Sequence, residues 1–160
     1  MIESALEKLS GLSSAFIDAS SMIVCNKAEI LDALAATCTL YTIQPVMDET
    51  GYSDAPVSIQ PVPAAAAAGT AATVDDLLFS AVLKAQLPLI SEDRTLLVKA
   101  ADHGLAYYNA LMVLNLLLLR RRLTPAAYSE HARLLQRATR YSAEVQQFGQ
   151  AVYRQILKQL

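Results

Sequence analysis

Short apolar runs alternate with amphipathic stretches along the first two thirds of the chain. Runs rich in β-branched and aromatic residues indicate strands, and apolar side chains at helical spacing indicate the helices between them. This alternation predicts an α/β fold in three α/β/α layers, with a parallel sheet of four or five strands. The predicted strands are 16–17, 39–43, 57–62 (at an edge), 87–90 and 105–108, and the predicted helices are 1–10, 22–25, 27–37, 45–50, 75–86 and 94–103.

Three further helical stretches close the chain, at residues 109–122, 124–139 and 142–160. The run Ala110–Leu119 is apolar almost all round, which is typical of a fully buried helix. It is shorter than the ~20 residues that a membrane-spanning helix needs, so we expect it to pack against the rest of the chain or a second copy. We therefore predict one domain over residues 1–160, with a core at about 14–108 and a helical C-terminal extension at about 109–160.

Residues 52–72 differ from their surroundings. Pro56, Pro61 and Pro63 interrupt a mixture of polar and apolar residues, and the stretch contains no Arg or Lys. A loop of this length within a compact domain is often functional or mobile. The segment is therefore interpreted as a lid, an edge element of the sheet or a disordered insertion.

Composition narrows the functional classes. The chain has 160 residues and a formal net charge of −2, so nucleic-acid binding would require a local basic patch rather than an overall positive field. Cys25 and Cys38 belong to no metal-binding or redox motif and are interpreted as buried free thiols of a cytoplasmic protein. The first residues lack the basic and apolar regions of a secretory signal.

Four acidic residues have comparable positions relative to the predicted strands. Asp18 follows the first strand, and Glu49 lies in the helix after the second. Asp75 begins an apolar helix, and Asp93 follows the strand after that helix. The carboxyl ends of parallel strands form one edge where ligands bind, so these side chains are expected to converge. Clustered carboxylates suit hard cations such as Mg²⁺ and Mn²⁺.

The motifs FIDASSM, PVMDET and VDDLLFSAVLKAQLPLISED, in this order, resemble those of the PIN domain, the nuclease fold of many toxin–antitoxin toxins. The closer likeness is to the uncharacterised prokaryotic PIN-like branch, and it covers roughly residues 14–137. The resemblance implies a Mg²⁺- or Mn²⁺-dependent ribonuclease that acts on RNA, is often a homodimer and is held in check by an antitoxin protein. It places the catalytic acids at Asp18, Glu49, Asp75 and Asp93, with Asp18, Asp75 and Asp93 holding the metal.

Two of these assignments choose between adjacent acids. Spacing favours Asp75 over Asp76 and Asp93 over Glu92, and the neighbours stay secondary candidates. The resemblance also includes two small hydroxyl residues, of which the family places the one in the Ser-Glu-Asp turn near the metal. These are Ser20 in the first motif and Ser91 in the Ser-Glu-Asp turn.

The predicted substrate-binding residues are Arg94, Arg120 and Arg121. The run 120–122 ends a helix, where cations complement the helix dipole, so a purely structural role is the alternative. A wider phosphate-contacting patch would add Arg122, Arg133, Arg137 and Arg140. The alternative to a nuclease is a catalytically inactive PIN-like module that binds RNA or a protein. A nucleotide-binding domain is disfavoured because the chain has neither GxGxxG nor GxxxxGK[ST].

Overall fold

The computed structural model describes residues 1–63 and 72–160. It confirms the predicted α/β architecture with a parallel sheet. The strands are β1 (Ser14–Ile17), β2 (Thr39–Ile43), β3 (Ser58–Gln60), β4 (Leu89–Ile90) and β5 (Tyr107–Tyr108). The helices are α1 (Ile2–Ser10), α2 (Ala19–Lys27), α3 (Leu31–Thr37), α4 (Gln44–Thr50), α5 (Val74–Ala85), α6 (Arg94–Asp102), α7 (Ala110–Leu119), α8 (Pro125–Ala138) and α9 (Ala143–Gln159).

The five strands are all parallel and lie in the order β3-β2-β1-β4-β5. From β1 the chain moves outward first through β2 and β3, and then returns to the other side of β1 through β4 and β5. The strand order therefore reverses between β1 and β4, which is the point where open α/β sheets bind ligands. At this point Ile17 pairs with Ile90, so the next residue of each strand, Asp18 and Ser91, leaves the sheet at the same level.

Helices cover both faces of the sheet in a three-layer arrangement. On one face α2, α3 and α7 pack together, with α1, α8 and α9 against them. On the other face α5 and α6 are neighbours, because the ring of Phe79 contacts that of His103 and Lys99 pairs with Asp76. Right-handed crossovers explain this division, since connections that run in opposite directions along a sheet lie on opposite faces.

Several helices and strands begin or end at residues other than those predicted from the sequence. The predicted helix 27–37 begins only at Leu31, because Glu29 has a φ of 61° and this left-handed conformation ends the preceding helix. The short turn predicted at 22–25 is instead the nine-residue helix α2, which starts directly after Asp18. The edge strand predicted within 57–62 is confirmed as β3. Residues 64–71, part of the segment interpreted as a lid, edge element or insertion, lie outside the described residues.

Helix α7 is covered by helices of its own chain. Almost all of its residues are buried, and α1, α2, α3, α8 and α9 surround it. Its one polar side chain, Asn115, is fully buried and bonded on both sides. The Asn115 Oδ1 accepts from the Tyr128 hydroxyl at 2.7 Å, and Nδ2 donates to the Gly149 carbonyl at 3.1 Å. The C-terminal extension is therefore continuous with the core, and α7 packs mainly against helices of its own chain.

Candidate functional site

Asp18 is the centre of the candidate site. It follows β1 at the point where the strand order reverses, and only 4% of its surface is exposed. It also caps helix α2: Oδ1 accepts from the Ser21 backbone N–H at 2.9 Å and from the Ser20 hydroxyl at 3.2 Å. The other carboxylate oxygen, Oδ2, accepts from the Ser91 hydroxyl at 2.5 Å. These bonds hold a nearly buried carboxylate in a fixed orientation at the carboxyl edge of the sheet.

Ser91 connects the two strands at the reversal point. Its side chain is fully buried, and its hydroxyl both donates to Asp18 and accepts from the Asp93 backbone N–H at 2.9 Å. Asp93 in turn caps helix α6, with Oδ1 accepting from the Thr95 N–H at 2.8 Å. The Ser91 hydroxyl therefore links the Ser-Glu-Asp turn to the end of β1, beside a backbone bond from the Asp18 N–H to the Ile90 carbonyl at 3.2 Å.

Asp75 reaches the same edge from the first turn of α5. Its side chain is exposed, yet its pKa is raised, first by partial desolvation and then by the negative charges of Asp93, Asp18 and Glu49. Contact with the Asp93 carboxyl raises the pKa of Asp75 further. The structure thus brings the other three acids that the sequence singled out close enough to Asp75 for their charges to raise its pKa.

The acidic neighbours of these residues have other partners. Asp76 forms a reciprocal capping box with Thr73 and an ion pair with Lys99 at 3.6 Å. Both contacts lower the pKa of Asp76, the capping bonds most. Glu92 accepts from the Tyr141 hydroxyl and from the Ala110 N–H at 3.2 Å. Burial raises the pKa of Glu92, and these two hydrogen bonds oppose the increase.

The three predicted substrate-binding arginines lie apart. Arg94 is exposed directly after Asp93 and therefore stands at the acidic edge. Arg120 donates to the carbonyls of Ser10 and Leu12 at 2.9 and 2.8 Å. Those carbonyls precede β1, so Arg120 and its exposed neighbour Arg121 are at the opposite edge of the sheet. The structure does not bring these two arginines to the acids.

Three residues near the site were not singled out from the sequence. Asn109 follows β5 and caps α7, with Oδ1 accepting from the Met112 N–H at 2.9 Å. Tyr141 reaches Glu92 from the start of the last helix, across 49 positions of sequence. The Ser21 hydroxyl is buried and has no hydrogen-bond partner within the described part of the chain. An Asn directly after a short aromatic strand is a signal that could have identified Asn109, whereas no local pattern connects Tyr141 with Glu92.

The donor set at this edge suits a hard divalent cation, because every side chain offers carboxylate oxygen. The charges of Asp93, Asp18 and Glu49 add to partial desolvation in raising the pKa of Asp75, and a bound cation would offset their repulsion. Within residues 1–63 and 72–160, no three His, Cys, Asp or Glu side chains already stand in a metal-binding arrangement. Binding would therefore require side-chain rotation, and the exposed Asp75 and Glu49 have room for it.

The fold and this edge together define an α/β protein with an acidic cluster at the reversal point of a parallel sheet. Comparisons with protein-family models, curated proteins and solved structures gave no significant match. Among the described residues, no helix has the length and apolar character to span a membrane. Cys25 and Cys38 are buried free thiols, as predicted, and burial raises the pKa of both.

Proposed function

We propose that this protein is a PIN-like, metal-dependent nuclease that hydrolyses RNA phosphodiester bonds. The observation that carries the proposal is the position of Asp18, Glu49, Asp75 and Asp93 along one edge of the sheet, where the charges of the other three raise the pKa of Asp75. Two of the four, Asp18 and Asp93, are held by backbone hydrogen bonds at helix N-termini. An acidic cluster built partly on rigid elements is the arrangement that metal-assisted phosphoryl chemistry uses.

Each acid then has a stated role. Asp18, Asp75 and Asp93 would hold Mg²⁺ or Mn²⁺, which would polarise the phosphodiester and lower the pKa of a bound water. Glu49 would hold a second metal or orient the attacking water. The oxygen of that water bonds to phosphorus as the bond to the leaving oxygen breaks, and the proton of the water passes to the leaving oxygen. Ser91 fixes Asp18 relative to Asp93, and Arg94 offers a charge to a neighbouring phosphate. The remaining secondary candidates, Ser20, Asp76 and Glu92, support the site through the capping and hydrogen bonds described above.

The experiment is a calorimetric Mn²⁺ titration at neutral pH of the parent and of Asp75→Asn/Asp93→Asn. Asn is as good a helix cap as Asp, so this variant is expected to keep its fold. The matched control is Asp48→Asn/Asp102→Asn, which removes the same charge from exposed positions on α4 and α6. The parent and control should bind Mn²⁺, and the Asp75/Asp93 variant should not. A cleavage assay with single-stranded RNA in the same buffer should give the same ranking.

Other outcomes discriminate between the alternatives. Binding of Mn²⁺ without cleavage of any RNA would favour the inactive binding module. Absence of Mn²⁺ binding by the parent would refute the metal-site proposal, and the acids would then be interpreted as helix caps and surface charges. A cytoplasmic location is part of the proposal and is supported by the two free thiols. An antitoxin partner and a homodimer belong to it through the family resemblance alone.

A further inference from the structure

A groove lies between α8 and α9, which both pack on α7. It has a cavity volume of about 640 Å³, and Leu111 of α7 contributes to its wall. Tyr153 also lines it and stacks on Tyr128, with ring centroids 4.4 Å apart and an angle of 22° between the rings. Because Tyr128 is buried and bonded to Asn115, it provides a fixed support for Tyr153.

The chemistry of the groove suits an anionic ligand. Arg133 and Arg154 line it, and none of the described residues along it is Asp or Glu. Arg154 forms no ion pair with a carboxylate of residues 1–63 and 72–160, and Arg133 pairs with Glu130 only at the exposed surface. Exposed pairs of this kind are weak, so Arg133 can exchange its partner for a phosphate. Gln136, Gln146 and Gln150 add hydrogen-bonding groups.

One end of the groove meets the acidic edge. Tyr141 lines the groove and donates to Glu92, which stands between Ser91 and Asp93 in sequence. From this end α9 runs away from the acids, and Tyr153 lies roughly 15 Å along the axis from Ala143 at 1.5 Å per residue. The Tyr141 end of the groove is therefore the end nearest the candidate metal site.

We propose that the groove between α8 and α9 binds single-stranded nucleic acid and leads it to the acidic edge. Phosphates contact Arg133 and Arg154, and an unpaired base stacks in the groove on Tyr153. The occupant is single-stranded because paired bases do not expose a ring face for stacking. The inference rests on the proposed function for its direction, since it treats the acidic edge as the place of cleavage.

The test measures binding of a fluorescent oligouridine RNA by anisotropy in EDTA, over 50–200 mM KCl. The variant Arg133→Gln/Arg154→Gln is compared with Lys84→Gln/Lys158→Gln, which removes the same charge from exposed positions outside the groove. The groove variant should bind at least about tenfold more weakly, with the slope of log K against log salt shallower by about 1.4, that is about 0.7 for each lost phosphate contact. The control should bind as the parent does.

Base stacking has its own readout. Tyr153→Leu keeps an apolar side chain on Tyr128 but removes the aromatic ring, so affinity should fall by about 5- to 150-fold with the salt slope unchanged. A thermal melt of each variant checks that it is folded. A fully paired RNA duplex of equal length should bind more weakly than the single strand, and single-stranded DNA should bind as well as RNA if only phosphates and ring faces are recognised.

Equal binding by the parent and the Arg133/Arg154 variant would overturn the inference, as would no binding by the parent or equal affinity for the duplex. EDTA makes the measurement independent of metal and cleavage. If the groove binds RNA but the protein cleaves nothing with Mn²⁺, the proposed function fails and the groove assignment stands. If the protein cleaves RNA but the groove variants bind normally, the groove assignment fails alone.

Discussion

Removing the Ser91 hydroxyl is the sharpest test of how the site is built. Ser91→Ala deletes two bonds at once: the donation to Asp18 Oδ2 at 2.5 Å and the acceptance from the Asp93 N–H at 2.9 Å. A hydrogen bond to a charged group contributes about 1.5–3 kcal/mol and a neutral one about 0.5–1.5 kcal/mol. Because Ser91 and Asp18 are buried and water cannot easily replace the hydroxyl, we expect the free energy of unfolding to fall by about 2–4 kcal/mol.

Two other serines around Asp18 provide matched Ser→Ala controls. The Ser20 hydroxyl donates to Asp18 at 3.2 Å from a partly exposed position, so Ser20→Ala should lose less than about 1 kcal/mol. The Ser21 hydroxyl has no partner within the described residues, and Ser21→Ala keeps the backbone N–H that Asp18 accepts. Since Ala is also the better helix former, Ser21→Ala should be neutral or stabilising.

The assay is urea unfolding followed by far-ultraviolet circular dichroism at pH 7 without divalent cations. The midpoint should shift while the dependence on urea concentration stays constant, because the surface exposed on unfolding is unchanged. The reasoning would be refuted if Ser91→Ala lost no more stability than Ser20→Ala. That result would mean that the hydroxyl bridge between β1 and β4 contributes nothing net.

Three further predictions concern the acids and the helical layer. Asp75→Asn should raise the free energy of unfolding at pH 7 by about 0.5–1 kcal/mol, which is the size of effect expected for an exposed charge. The gain should vanish near pH 3 in urea titrations. The sign follows from the raised pKa, because the folded state binds the Asp75 proton more tightly than the unfolded state does. The stability of the parent therefore falls as the pH rises above 3.8, the ordinary pKa of an Asp side chain. Gly149→Ala should lower the free energy of unfolding, measured in urea, by up to about 2 kcal/mol. The new Cβ would stand 2.8 Å from Leu111 Cγ, and overpacking of this kind costs about 1–3 kcal/mol. That cost exceeds the gain of about 1 kcal/mol from the higher helix propensity of Ala. Arg120→Gln should lose about 1–3 kcal/mol through its bonds to Ser10 and Leu12, while RNA affinity per folded molecule stays that of the parent in the anisotropy assay.

Each of these has an outcome that contradicts it. A stability gain for Asp75→Asn that persists at pH 3 would point to packing rather than charge. If Gly149→Ala is stabilising, Leu111 moves aside freely; if it is destabilising, adding Leu111→Ala should recover part of the loss. A fall in RNA affinity for folded Arg120→Gln would return that arginine to the substrate-binding residues.

The sequence by itself determined the local features of this protein. The α/β alternation, the parallel sheet and the helical C-terminal part follow from hydrophobic periodicity, which each segment carries on its own. The acids after strands and at helix starts were also readable, because capping depends on residues only two or three positions apart. Lys27–Thr37 was misread as one helix because the left-handed conformation of Glu29 leaves no apolar signal.

Tertiary structure decided which of these local features meet. The strand order brings Ser91 into contact with Asp18, which is 73 positions away in sequence. It also places Arg120 at the opposite edge of the sheet from Arg94, although both arginines were equally plausible substrate-binding residues from the sequence. The tertiary packing likewise brings Glu92 into hydrogen-bonding contact with Tyr141. It also forms the groove between α8 and α9, which both pack on α7. The physical reason is that these contacts depend on how whole elements are stacked, and the free energy of that stacking comes from buried surface shared by distant segments rather than from any local pattern.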